Sequence, residues 1–344
     1  MNRQLAVVGA GSWGTTLAVL LANKGHSVNL FVRDPQLAAI MAKQRENPKY
    51  LPGVAIPGNV RILNSLPEAV AAAELISLVV PSHGFREIAI QIAAVLPPAA
   101  AVVSMTKGIE TDTLLRMSEV LCNVLPEEAC ARIAVMSGPN LAREVSLGVP
   151  TGTVVAAEDE AVAEFIQDIF MAPMFRVYTH HDVIGVELGG ALKNIVALSV
   201  GISDGLGFGD NTRATLITRG LAEIARLGQV MGAELMTFAG LSGLGDLVCT
   251  CTSERSRNHQ AGIRIGRGES LADIVAGTDM VIEGVRSTKA AYLLAQKYGV
   301  EMPITEETYR VLYEGKKPPA AVQSLMGRER KLELGEITLY RRKS

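Results

Sequence analysis

The stretch QLAVVGAGSWGTTLAVLLANKGHSVNLFVRDP, residues 4–35, decides the fold. QLAVVG reads as a buried strand, Gly9-Ala10-Gly11-Ser12-Trp13-Gly14 completes a G-x-G-x-x-G pattern, and an apolar helical run follows. After the turn at Lys24-Gly25-His26 a second apolar run, residues 27–32, returns as a strand. A lone glycine triplet is a weak signal. Placed between a strand and a helix it is the dinucleotide-binding fingerprint. Gly9, Gly11 and Gly14 then supply a tight turn, close approach to a pyrophosphate, and a helix N-terminus aimed at the anion. At the end of the second strand such folds place the residue that meets the ribose, and here the chain reads Arg33-Asp34-Pro35. Asp34 can serve a ribose diol or open the turn before Pro35. Arg33 can pair with a 2′-phosphate or stack on adenine. Arg33 is read as the contact, which favours NADPH over NADH.

Working outward, 344 residues exceed one ordinary core and point to two domains. With 48% hydrophobic and 20% charged residues the composition is globular rather than disordered. A net charge of −2 argues against a nucleic-acid binder, and a small-molecule ligand is expected instead. Cys122, Cys130, Cys249 and Cys251 include no C-x-x-C pair, so no metal site is expected and reduced thiols are. The N-terminal apolar run imitates a leader peptide, but its glycines break it. The apolar stretch 88–105 is interrupted by Pro97-Pro98 and is too short to span a bilayer. The expectation is a cytoplasmic chain without membrane spans.

Seven β-branched runs lie at 4–9, 27–32, 75–80, 100–105, 132–137, 153–157 and 175–179. They are continuous rather than alternating, which suits a parallel sheet covered on both faces. Beyond about residue 180 helical patterns take over, at 185–203, 210–232, 257–266, 270–276, 285–299, 304–314 and 319–326. The expected organisation is an α/β dinucleotide-binding domain over 1–180 and an all-α domain over 181–344. The basic end YRRKS reads as a solvated tail.

Several segments carry chemistry. VVPSHG (79–84), SMTKGIE (104–110) and MSGPNLAREV (136–145) each follow a strand, at the sheet edge where ligands bind. Lys107 suits an anionic substrate or the cofactor, against the plainer reading of a solvated loop lysine. Gly138 allows close backbone approach. In GLSGLGDLVCTCTSERSRNHQAG (240–262), Asp246 and the Ser256-Arg257-Asn258 cluster combine an acid, a bidentate guanidinium and neutral donors, a set suited to phosphate. Arg257 by itself also fits an ordinary surface residue, and Glu283 is an acid without a legible partner. His180-His181 tempts a metal reading, but adjacent side chains point apart in a regular element. Finally, GVELGGALKNIVALSVGIS (185–203) is a buried-helix pattern that nonetheless carries Lys193. Helical side chains lie over the preceding turn, so the Lys193 stem crosses Gly189 and Gly190, and the glycines read as clearing space for a ligand. The plainer reading is glycine used for helix packing beside a snorkelling lysine.

Taken in order, GAGSWGTTLA, NPKYLPGVAIPGN, VPSHGFRE, TKGIE, SGPNLAREV, ELGGALKNIVA, GLSGLGDLVCTCTSERSRNHQAG, VIEGVRST and MPITEETYRVLY resemble the bacterial NAD(P)-dependent glycerol-3-phosphate dehydrogenases over about residues 4–330. The resemblance implies a Rossmann-like domain followed by a helical domain like that of 6-phosphogluconate dehydrogenase. It also implies reduction of dihydroxyacetone phosphate to sn-glycerol 3-phosphate, which feeds glycerophospholipid synthesis. By the same resemblance Ser12, Trp13, Arg33, Lys107, Ala142, Arg257, Val281 and Glu283 contact NADPH or NADH. Lys107, Gly138, Asn140, Lys193, Asp246, Ser256, Arg257 and Asn258 contact the substrate, and Lys193 is the catalytic acid/base. The family loop usually reads G-P-S/T-F-A, whereas this chain has Gly138-Pro139-Asn140-Leu141-Ala142. Two other readings are a hydroxyacid or ketopantoate-type reductase, against which the Ser-Arg-Asn and LSGLGD segments speak, and a non-catalytic NAD(P)-sensing module, against which the polar constellation speaks. Broad apolar helical faces are compatible with a homodimer.

Overall fold

A computed structural model describes residues 2–278, 281–330 and 332–333; the basic end at 340–344 lies outside them. The described chain falls into two compact units. One holds the residues up to Thr106 together with Met117–Val183, and the other holds Lys107–Arg116 together with the residues from Ile184 on.

The first unit is built on a sheet of β1 (Gln4–Val8), β2 (Ser27–Phe31), β5 (Val60–Leu63), β6 (Leu75–Leu78), β7 (Ala101–Ser104), β8 (Ile133–Ser137), β9 (Thr151–Ala157) and β10 (Phe175–His180). Their order is β10-β9-β8-β7-β6-β1-β2-β5, and β3 (Glu46–Asn47) pairs with β4 (Leu51–Ala55) in a separate ribbon. The strands from β5 to β8 run parallel, with β1 paired on one side to β2 and on the other to β6. The chain thus reverses its direction of travel across the sheet at β1, which places the glycine turn at the topological switch point.

The sheet is not parallel throughout, as its apolar runs suggest. β9 pairs antiparallel with β8, and β10 then runs parallel to β9. The 138–150 connection contains only the five-residue helix Ala142–Ser146, too little for the crossover that a parallel neighbour requires. The 158–174 connection carries the eleven-residue helix Glu160–Phe170 and does return parallel. Cys122 and Cys130 depart from the expected reduced state: they form a disulfide, with Cα atoms 5.2 Å apart. The chain doubles back from the helix Met117–Val124 into the 3₁₀ turn Glu127–Arg132, and no cysteine spacing signals such a reversal.

The second unit packs around the helix Val183–Gly205, with Leu188, Ala191, Leu192, Ile195, Val196, Ala197 and Val200 all buried. By length and composition this helix would pass for a membrane span, yet most of it lies inside the unit. Around it stand the helices Asp210–Val230, Asp246–Thr252, Arg257–Gly266, Leu271–Ala276, Glu283–Tyr298, Pro303–Tyr313 and Pro318–Met326. A close crossing joins the central helix to Arg257–Gly266. A Cβ on Gly201 would lie 2.1 Å from the His259 carbonyl oxygen, and one on Gly262 2.2 Å from that of Leu198. Gly205 and Gly266 repeat the contact one turn on, at 2.3 Å from the carbonyls of Ile263 and Ile202. Only glycine on both faces lets the two backbones meet this closely.

Candidate functional site

The glycine turn of the first unit has the shape a dinucleotide needs. Gly9 has φ +117°, and a Cβ there would lie 2.5 Å from the Val79 carbonyl oxygen. On Gly14 a Cβ would lie 1.8 Å from the Gly9 carbonyl oxygen, so the helix Ser12–Asn23 presses against the turn that precedes it. Above Gly11, by contrast, a Cβ would meet nothing within 4 Å, and no side chain caps this helix. The first-turn N–H groups therefore face an open cradle suited to a pyrophosphate. Asn47, wholly buried, holds the turn from outside by donating from Nδ2 to the Ala10 carbonyl (2.9 Å) and Thr15 Oγ1 (2.8 Å). Ser12 Oγ donates to the Tyr50 carbonyl (2.7 Å), and the half-buried Trp13 ring stands 6.3 Å from that of Phe175. The Ala142 carbonyl accepts from Thr16 Oγ1 at 3.2 Å.

At the end of β2 the two candidate residues separate. Asp34 Oδ1 accepts from the backbone N–H groups of Gln36 (2.9 Å) and Leu37 (3.3 Å) and so caps the helix Pro35–Gln44. Arg33 is exposed. Gly138 and Asn140 sit against β9. A Cβ on Gly138 would approach Thr153 Cα to 3.1 Å, and Asn140 Nδ2 donates to Thr153 Oγ1 at 2.9 Å. Thr153 in turn donates to the Ser137 carbonyl (2.8 Å), so the loop is braced by its neighbouring strand.

The second unit gathers a charged cluster in which Lys193, Asp246 and Thr250 are each more than nine-tenths buried. Lys193 Nζ donates to Asp246 Oδ1 (2.8 Å) and to Thr250 Oγ1 (2.5 Å). Lys107 Nζ donates to the other carboxylate oxygen, Asp246 Oδ2, at 2.5 Å. The Thr250 hydroxyl spends its proton on the Asp246 carbonyl (2.7 Å), which leaves its oxygen to accept from Lys193. Two ammonium groups share one carboxylate, so the cluster keeps one excess positive charge while all three are ionised. Burial pulls the Lys107 ammonium down to about 8, with Asp246 opposing the fall and Lys193 reinforcing it. Burial pushes the Asp246 carboxyl upward, but the flanking ammonium groups outweigh burial and hold it below its ordinary value. Lys107 is thus no solvated loop lysine; its segment Lys107–Arg116 belongs to this unit and not to the domain in which the sequence places it. Thr250 escaped the sequence reading. Its signal is position i+4 from Asp246 on one short helix.

At Gly189 the plainer of the two readings, glycine used for packing, is the one the structure favours. A Cβ there would lie 2.7 Å from the Ser242 carbonyl oxygen, so the space is filled by the π-helical turn Leu241–Gly245. That turn leads directly into Asp246. Gly189 therefore admits backbone rather than ligand, and it docks the segment that delivers the carboxylate.

The Ser256-Arg257-Asn258 cluster divides in a similar way. Ser256 caps the helix Arg257–Gly266 by accepting from the His259 N–H at 3.3 Å. Asn258 is buried; its Nδ2 donates to Asn194 Oδ1 (2.9 Å), and its Oδ1 accepts from the Gly284 N–H (2.9 Å). Arg257 remains exposed, with Nη1 donating to the Val281 carbonyl at 2.9 Å. Glu283 opens the helix Glu283–Tyr298. His180 and His181 do not point apart: β10 ends at His180, alternation lapses, and the rings lie 4.9 Å apart. Among the described residues, no group of three or more His, Cys, Asp or Glu side chains could hold a metal ion.

Comparison with known proteins covers most of the chain. A family model for the NAD-dependent glycerol-3-phosphate dehydrogenase N-terminus matches residues 4–163, and one for the C-terminus matches 182–323. A glycerol-3-phosphate dehydrogenase [NAD(P)+] of Moorella thermoacetica is 54% identical over 334 residues, 97% of this chain and 98% of the relative. One from Citrifermentans bemidjiense is 51% identical over 333 residues, covering 97% and 99%. The crystal structure of glycerol-3-phosphate dehydrogenase from Coxiella burnetii superposes with a TM-score of 0.91 at 38% identity, covering 95% of this chain and 99% of that one. With the dinucleotide cradle in one unit and the lysine–aspartate cluster in the other, these matches show that the chain belongs to the NAD(P)-dependent glycerol-3-phosphate dehydrogenase family.

Proposed function

We propose that this chain reduces dihydroxyacetone phosphate at C2 to sn-glycerol 3-phosphate, with Lys193 as the general acid. The bound nicotinamide supplies the hydride. The observation that carries the reading is the state of Lys193: two of its ammonium hydrogens are held by Asp246 and Thr250, and the third has no acceptor among the described residues. That hydrogen can point at a ketone oxygen. As charge builds on the oxygen the ammonium stabilises it and then donates the proton, within a cluster whose excess charge is positive. Asp246 fixes the direction of the ammonium, and Lys107 keeps Asp246 from cancelling its charge. Arg257, exposed at a helix start, holds the phosphate, and that remote contact helps position the ketone. On the cofactor side Gly9, Gly11 and Gly14 shape the cradle. The engagement of Asp34 as a helix cap leaves Arg33 as the charged group for the adenosine end, which supports a preference for NADPH.

The test is loss of reduced nicotinamide on addition of dihydroxyacetone phosphate, measured with NADPH and NADH for the native chain and for Lys193→Ala. Native turnover and a kcat lower by about 10²–10⁴-fold in the variant are expected, the range of a positioned general acid. NADPH affinity should stay unchanged. No native turnover would refute the function; a variant with most of its turnover would refute the role of Lys193.

A further inference from the structure

Every polar tie of the helix start that presents Arg257 runs into the second unit, and one of them lies outside the machinery described so far. His259 follows Arg257 by two residues and is 6% exposed. Its backbone N–H meets the Ser256 hydroxyl, and its carbonyl faces Gly201 on the central helix. Its ring nitrogen Nε2 lies 2.7 Å from Asp204 Oδ2, eleven residues beyond Lys193 on that same central helix. Asp204 Oδ2 also accepts from Arg213 Nη2 (3.2 Å), and Arg213 Nη1 donates to Asp210 Oδ1 (2.6 Å). His259 Nδ1 and Asp204 Oδ1 are buried without partners among the described residues, so the single bond between the two side chains is the whole of the ring's polar attachment.

We propose that the Asp204–His259 pair is a positioning device for Arg257: it ties the first turn of Arg257–Gly266 to the helix bearing Lys193 and so sets where the guanidinium meets a phosphate. The glycine contacts draw the two helices together, and the Asn258–Asn194 bond gives them one directional tie. The Asp204–His259 bond, one residue on, adds a second, so that the helix start is held at two points rather than one. The inference rests on the proposed reading of Arg257 as the phosphate holder. It assigns no contact with substrate to either member of the pair. Both act through the helix start.

The experiment compares dihydroxyacetone phosphate with phosphate-free dihydroxyacetone, using NADPH and the full chain. His259→Ala is expected to lose about tenfold or more in kcat/KM for the phosphorylated ketone, mainly through KM, as a displaced binding group should. Turnover of dihydroxyacetone should stay within about twofold, because no phosphate is held there. His259→Gln keeps a side-chain donor for Asp204 and should restore most of the loss. Equal losses on both ketones, or no loss in a folded His259→Ala, would overturn the proposal. If His259→Ala does not fold, Asp204→Asn, which keeps the shape of the carboxylate, reads the same comparison. A native chain inactive on dihydroxyacetone phosphate would refute the functional reading and this proposal with it. Native activity with equal losses would refute the positioning role alone.

Discussion

Lys107 and Lys193 illustrate how one carboxylate can assign different work to two identical side chains. Lys193 is buried on a helix and bound by two acceptors, whereas Lys107 reaches the same carboxylate from a loop with 22% of its side chain exposed. Burial lowers Lys107 to about 8, so below that pH it is charged and the cluster carries one net positive charge. Above it Lys107 is neutral, the carboxylate cancels Lys193, and the attraction for an anionic ketone phosphate falls. KM for dihydroxyacetone phosphate is therefore expected to rise as pH passes about 8. Lys107→Met should show the raised KM at every pH, without that limb. An unchanged alkaline limb in the variant would assign the titration to another group. Cys251, on the same short helix, cannot take that part, because burial pushes its thiol up to about 12.

At the scale of elements, glycine placement decides what the site contains. Gly189→Ala would raise helix propensity by about 1 kcal/mol, yet its Cβ would meet the Ser242 carbonyl. The clash should dominate, with a net loss of about 1–3 kcal/mol in unfolding free energy, the range for overpacked cores. It should also lower kcat, because the displaced turn carries Asp246. A variant of native stability and activity would show that the turn is free to shift. The sequence made the helix legible but not the turn. The helix announces itself by a long apolar run, while residues 235–252 combine a 3₁₀ turn, a π turn and a short helix, none with a sustained period. The same contrast holds in the first unit. All seven apolar runs became strands, but β3, β4 and β5 were missed, because Pro52, Gly53, Pro57 and Gly58 punctuate them and only two to five residues form each. Ser256 and Asn258 were legible as polar groups near the site. That Ser256 serves as a cap and that Asn258 ties helices together is another matter, and the second depends on Asn194 and Gly284, which lie far from it in sequence.

For the whole molecule, the consequential feature is the excursion of Lys107–Arg116 out of the first unit and into the second. Ile109, 2% exposed, joins the core around Leu192 and Ile195, with Leu114 packed against it. A fragment cut at the apparent boundary, residues 181–344, would lack this segment. It would lose about 1.5–3 kcal/mol for the burial of Ile109 alone, and Asp246 would lose one of its two lysines. The fragment should therefore unfold at a lower temperature than the second unit does within the full chain. Calorimetry of the two decides it, and equal transitions would show that the segment is dispensable.

The excursion also has a meaning in time. A chain made from its N-terminus emits Lys107 with 139 residues still to come before Asp246 exists. At roughly 5–20 residues per second that interval is on the order of ten seconds. Through it the ten residues hang from β7 with Ile109 and Leu114 uncovered, while Met117 onward is already free to add β8 to the growing sheet. The segment that completes the charged cluster is therefore made well before the neighbours that cover it in the folded chain.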